Sequence, residues 1–179
     1  MLEITIPKAE WWDESKEEFV QFPETTVRLE HSLVSISKWE SIHCRAFISK
    51  KPKTIEEQLD YIKCMCLDSH VDSTIFDRLT TQNFNEISEY INRPMTAVYF
   101  PEETGGASGG SITSEVLYYD MIALGIPFEC QKWHLNRLLA LIRVCDKKSR
   151  PAKKIGRNEI LSRNRSLNAA RRKKFGTKG

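Results

Sequence analysis

The sequence predicts an α+β chain, mainly α. A small N-terminal antiparallel β unit spans 1–31, a helical body 32–146, and a basic, helical C-terminal tail 147–179. Three observations carry this reading. Apolar residues alternate with a period of two before residue 31, then recur at about 3.6 residues. Cap and stop signals punctuate the later segments at helical lengths. Charge is unevenly placed: residues 147–179 hold 13 Lys and Arg against one acid, Glu159, a net of +12, whereas residues 1–146 hold 14 bases and 23 acids, a net of −9. Such asymmetry marks an acidic body carrying an interaction tail.

The β unit comes first. Residues 2–6 (LEITI), 18–22 (EFVQF) and 25–30 (TTVRLE) alternate as half-buried strands do, the last two split by a turn at Pro23-Glu24. Trp11 and Trp12 fall in the loop between, where one of them is expected to pack on the sheet. Ser32 then opens a helix over 32–42, with Leu33 and Ile36 inward and Trp39 or Glu40 on the next turn. Thr54 and Glu57 have the spacing of a capping box, in which side chain and backbone hydrogen bonds are exchanged. Ile55, Leu59, Ile62 and Cys66 follow as one buried stripe. A short helix is expected over 73–79. Another is capped by Thr81 or Asn83, with Phe84, Ile87 and Ile91 inward and Pro94 ending it. Residues 95–100 (MTAVYF) read as a short strand or extended segment, and the glycine- and serine-rich run 101–111 as a mobile loop.

Helical signal then returns. Residues 114–124 end at Gly125, with Pro127 beyond, the punctuation of a glycine-stopped helix. A helix over about 128–145 puts Phe128, Leu135, Leu138, Leu139 and Ile142 on one face. The short link predicts an αα-hairpin of these two helices. Pro151 breaks the chain. Residues 157–174 form a candidate basic amphipathic helix, its apolar line drawn through Ile160, Leu161, Leu167 and Ala170.

Composition bounds the function classes. A chain of 179 residues and 20.7 kDa, 40% hydrophobic and 28% charged, is long enough to bury a core without disulfides or metal. No 18-residue apolar window exists, so no membrane span is expected. MLEITIPKAEWWDE lacks the basic and apolar regions of a signal peptide. The expected location is therefore the cytoplasm, and the five cysteines are expected to be reduced thiols.

The search for reactive chemistry assigns no catalytic, cofactor or metal residues. Ser35-Ile-Ser37-Lys38 matches a serine-nucleophile pattern, but its partner motifs are missing, so Ser35 reads as helix surface. The pairs Cys64/Cys66 and Cys130/His134 lack the spacings of structural zinc sites. The run 105–110 lacks the Gly-Lys-Ser/Thr of a nucleotide loop. The chain thus reads as a binding protein and not an enzyme. Its tail, RNEILSRNRSLNAARRKK over 157–174, suits either phosphate or an acidic apolar groove on a protein. The interleaved Ile and Leu favour the protein partner over nucleic acid.

Three blocks resemble a known family: LEHSLVSISKWES from Leu29, WHLNRLLALIRVC from Trp133, and the basic end SLNAARRKKFGTKG. They resemble the tail assembly chaperones of long-tailed (siphovirus-type) bacteriophages. The resemblance implies a non-enzymatic protein that binds the helical tape measure protein, keeps it soluble during tail assembly and helps recruit tail tube subunits. It also implies a place in the host cytoplasm and absence from the finished virion. Self-association is a further possible contact. Candidate partner-binding residues are Tyr118, Tyr119 and Trp133 in the body, and Arg157, Ile160, Leu161, Arg163, Arg165, Leu167, Arg171 and Arg172 in the tail. The alternatives are a structural virion protein, such as a connector or tail component, and a nucleic-acid-binding protein acting through the tail.

Overall fold

The computed structural model describes residues 1–14, 17–99, 111–150 and 157–176. The chain is mainly helical with an N-terminal antiparallel β unit, as the sequence predicts. It divides into two units, Met1–Lys147 and Lys148–Gly179.

The β unit is one long hairpin broken in the middle. Strand β1 (Leu2–Ile6) pairs with β4 (Thr25–Leu29), and β2 (Ala9–Asp13) with β3 (Glu18–Phe22), both antiparallel. The register runs from Leu2↔Leu29 to Asp13↔Glu18 without a slip. Pro7 and Pro23 lie in the gap between the two ladders, where a residue without an amide hydrogen costs no rung. The inner half buries Ile4, Ile6, Val27 and Leu29, while Thr5 and Thr26 face out and share a hydroxyl contact at 3.2 Å.

Trp11 and Trp12 are strand residues of β2, not loop residues. Both are exposed, at 59% and 52%, so neither packs into the core. Their partners are local: Trp12 meets Phe19 edge-on with ring centroids 5.0 Å apart, and Trp11 meets Phe22 at 6.3 Å. Sequence alternation missed this strand because a charged residue flanks the tryptophan pair on each side.

Helix α1 (Leu33–His43) is the hub of the body. Ser32 caps it, accepting from the Ser35 amide at 3.2 Å. Leu33, Ile36 and Trp39 are fully buried, and α1 packs against α2 (Ile55–Met65), α4 (Ser114–Ala123) and the 3₁₀ segment Phe128–Lys132. Trp39 donates its indole hydrogen to the Glu57 carbonyl at 2.8 Å. Ser35 is buried, not on the helix surface. Its hydroxyl donates to the Glu30 carbonyl at 2.7 Å.

The Thr54/Glu57 capping box forms as expected. The stripe behind it is rotated from the one expected. Tyr61, Ile62 and Met65 are buried, whereas Ile55 is 74% exposed. Tyr61 carries more apolar surface than Ile55 and has a buried hydrogen-bond partner in His31, so the helix turns that side inward. The end of α2 is sewn to β4 by Glu30 N–H to the Met65 carbonyl and Leu67 N–H to the Arg28 carbonyl, both 2.9 Å.

A 3₁₀ segment covers Ser73–Arg78, and α3 covers Thr81–Asn92. The cap of α3 is Thr80, one residue before the expected range. Asn83 acts as its reciprocal partner and also donates to the Thr5 carbonyl at 3.2 Å. Ile87 and Tyr90 are buried, with Phe84 and Ile91 half-buried. Residues 95–99 form no strand. The expected loop 101–111 lies, except for Ser111, outside the described residues.

The α4 stop is a full Schellman turn. Ile126 N–H bonds the Met121 carbonyl at 2.8 Å and Gly125 N–H the Ile122 carbonyl at 3.2 Å, with Gly125 at φ 65°. The expected helix 128–145 is two pieces. The 3₁₀ segment Phe128–Lys132 is followed, after an extended Trp133, by α5 (Leu135–Ser149). The break leaves Phe128 exposed instead of on the buried face of Leu135, Leu138 and Ile142. It also redirects α5, so α4 finds its main packing partner in α1 and the expected αα-hairpin does not form.

Candidate functional site

Two exposed features and one buried cluster could carry function. The cluster gathers Glu30, His31, Tyr61, Tyr90 and His134, a composition that acid–base chemistry could use. All of its contacts point inward. The Tyr90 hydroxyl donates to Glu30 Oε1, and the Met1 ammonium lies 2.6 Å from Glu30 Oε2. His134 Nε2 lies 3.0 Å from the Tyr90 carbonyl. A carbonyl only accepts, so Nε2 carries the proton and Nδ1 accepts the Asn136 amide hydrogen at 3.3 Å. His31 Nδ1 shares a hydrogen with the Tyr61 hydroxyl. Burial, helped by the neighbouring His134, pushes the His31 pKa down to about 3, and burial also lowers that of His134. Neutral imidazoles fixed in this way fasten β4, α2, α3 and α5 together. An open depression lined by Phe47, Lys53, Ile91, Leu135 and Leu139 reaches His31 from one side.

The first exposed feature is the outer face of α4. The helix forms because Ser114, Leu117 and Met121 fall on one side and bury against the body. The other side carries Val116, Tyr119 and Ile122 in a row at three-residue spacing, with Tyr119 at 68% and Ile122 at 63% exposure. Phe128, also exposed, follows the turn and lies 6.4 Å from the Tyr118 ring. Glu115 shares this face, Asp120 lies at its edge, and Glu129 follows Phe128, which adds negative charge. A hydrogen bond from Thr113 holds the Glu115 carboxyl below its usual range, so it stays ionised. Large apolar side chains in a row with acidic neighbours suit the apolar stripe of another helix.

Tyr119 is thus a surface residue, as proposed from sequence. Tyr118 and Trp133 are not: both are half-buried against the core. Tyr118 donates to Gln131 Oε1 at 2.9 Å, and the Arg137 guanidinium covers the Trp133 ring at 4.1 Å. Val116, Ile122 and Phe128 were missed because each fits an apolar helical pattern that sequence alone assigns to the core.

The second exposed feature is α6 (Arg157–Phe175), which contains all the tail candidates. Ile160, Leu161, Arg163, Arg165, Leu167, Arg171 and Arg172 are exposed. The apolar line expected here does not exist. Leu161 and Ala170 are nine positions apart, and at about 100° per residue they stand on opposite sides of the helix. The row that holds Ile160 and Leu167 also holds Asn164 and Arg171. Basic residues occur all round the helix.

Among the described residues, no group of three or more His, Cys, Asp or Glu side chains could hold a metal ion, and no helix is long and apolar enough to cross a membrane. Cys130 lies in the 3₁₀ segment and His134 beyond its end, just before α5. Compared with models of protein families, with curated proteins and with solved structures, the chain matches none.

Proposed function

We propose that this chain is a tail assembly chaperone of a long-tailed bacteriophage, which binds the tape measure protein and keeps it soluble while the tail is built. One observation carries the reading: a row of large exposed apolar side chains, Val116, Tyr119 and Ile122, on a helix whose opposite side is locked into the core, with Phe128 exposed on the 3₁₀ segment that follows. A long tape measure helix exposes apolar stripes until a tube encloses it. A rigid apolar row accepts such a stripe in many registers, because no pocket fixes one side chain. The negative charge of Glu115, Asp120 and Glu129 adds attraction to basic positions beside the stripe without deciding the register. The three sequence blocks that resemble the chaperone family support the same reading.

The test is co-expression with the tape measure protein of the same phage, followed by gel filtration. The expected result is one soluble complex. A Tyr119→Asp/Ile122→Asp double variant, which touches no buried residue, should keep its thermal midpoint and weaken the complex at least tenfold. Separate elution of the wild-type proteins, or a complex indifferent to the double variant, would overturn the proposal.

A further inference from the structure

The charge on α6 is arranged for a different kind of partner. From Arg157 to Lys174 the helix carries seven Lys and Arg and a single acid, Glu159 in its first turn. Arg163, Arg165, Arg171 and Arg172 are all exposed. A helix of 19 residues is about 28 Å long.

The positions of the polar residues matter more than the total charge. Asn164 and Asn168 are one turn apart, so they stack on one face. Arg165 and Arg172, seven residues apart, run along one flank of that face, and Arg171 lies on the other flank. Arg163 and Lys173 point to the far side. Leu161 and Phe175 share this face and Ile160 and Leu167 lie beside Arg171, so amides and guanidinium groups are interleaved there with exposed apolar side chains. An apolar protein groove could not take up this face without desolvating both the amides and the arginines. An acidic protein surface would satisfy the arginines but has no need of the amides between them.

Duplex DNA presents the complementary pattern. Its major groove is about 12 Å wide and admits an α-helix of 10–12 Å diameter. Phosphates line both rims, and between them the base edges offer paired donors and acceptors that an Asn amide matches, adenine best of all. We propose that α6 binds duplex DNA in the major groove, with Asn164 and Asn168 toward the base edges and Arg165, Arg171 and Arg172 on the phosphate rims. Lys173 and Lys174 in the last turn add attraction without reading sequence. This activity goes beyond the chaperone reading and does not depend on it, since it uses neither α4 nor Phe128.

The experiment uses the full chain and the fluorescence anisotropy of a labelled 20-base-pair DNA duplex, titrated at several KCl concentrations. With four to six phosphate contacts, the affinity should fall by about 10²–10³ between 50 and 200 mM salt. An Arg165→Ala/Arg171→Ala/Arg172→Ala variant changes only exposed side chains, so its thermal midpoint should not move. It should bind at least tenfold more weakly at 50 mM salt, with a salt slope smaller by about 3. An Asn164→Ala/Asn168→Ala variant should keep the wild-type salt slope and lose any preference between duplexes of different sequence. Parallel arms use an RNA hairpin of equal charge and polyglutamate as competitor. No binding at 50 mM salt, undiminished binding by the arginine variant, tighter binding of the RNA hairpin, or displacement by polyglutamate at equal charge would each overturn the proposal. Because Tyr119→Asp/Ile122→Asp leaves α6 intact, DNA binding by that variant separates this result from the chaperone test.

Discussion

The Tyr90 hydroxyl donates a hydrogen bond of 2.6 Å to Oε1 of Glu30, joining α3 to the end of β4 across 60 residues of sequence. Tyr90 also accepts from the Met1 ammonium at 2.6 Å, and the same ammonium pairs with Glu30 Oε2. Burial and the Glu30 carboxylate hold the phenol above its usual pKa, so it remains a donor throughout the neutral range. Tyr90→Phe removes a bond to a charged acceptor and should cost about 1.5–3 kcal/mol. Urea unfolding reads this as a lower midpoint at unchanged slope. An unchanged midpoint would show that the bond adds nothing.

Acid should weaken the fold before most carboxylates titrate. His31 has a folded pKa of about 3 against an unfolded value near 6.5, and His134 is lowered in the same direction. Between those values the unfolded chain binds the extra protons. The stability these residues provide is therefore full above about pH 6.5 and is lost as pH falls toward 3. His31 alone should account for a drop of about 3 kcal/mol by pH 4. His31→Gln should flatten the pH dependence of the urea midpoint, and a slope that survives this change would exclude the assignment.

Glu40 caps a helix that is not its own. Its Oε2 accepts the Ser114 amide hydrogen at the start of α4, and its Oε1 that of Phe47, each at 2.7 Å. Thr113, in the cap position of α4, makes no side-chain cap bond, so the carboxylate from α1 substitutes for it. Glu40→Ala strands two amides and should cost about 3 kcal/mol, with Glu40→Gln in between because it keeps one acceptor. A glutamine variant as stable as wild type would remove the carboxylate from this account.

Gly125 sits at φ 65° with open space where a side chain would go. Gly125→Ala therefore meets no clash and should cost only the left-handed backbone penalty, about 1 kcal/mol. A loss above about 3 kcal/mol in thermal unfolding would mean that the turn itself rearranges.

What the sequence made legible follows from distance along the chain. The Thr54/Glu57 box and the Gly125 stop are closed by bonds within five residues, so local spacing reveals them. The stripe of α2 was misjudged because Tyr61 faces inward to meet His31, 30 residues away. The cap supplied by Glu40 is 74 residues distant, and no pattern around Ser114 announces it. The exposed row on α4 escaped notice for a related reason. Val116 and Ile122 differ from core residues only in what lies opposite them, which depends on where α1 packs. In α6 the periodicity gave the helix but not the apolar line, since counting apolar residues ignores the side on which each one stands.

The prolines in the long hairpin divide it into two regimes. Rungs on the Leu2–Ile6 side are clamped by the interior, whereas those carrying the tryptophans are held by their own ladder, by ring contacts and by the Arg78 guanidinium, 5.0 Å from the Phe22 ring. Breathing that starts at the tip can therefore unzip the aromatic half and stop at Pro7 and Pro23. The molecule can lend out two unpaired strand edges without spending the stability of its core.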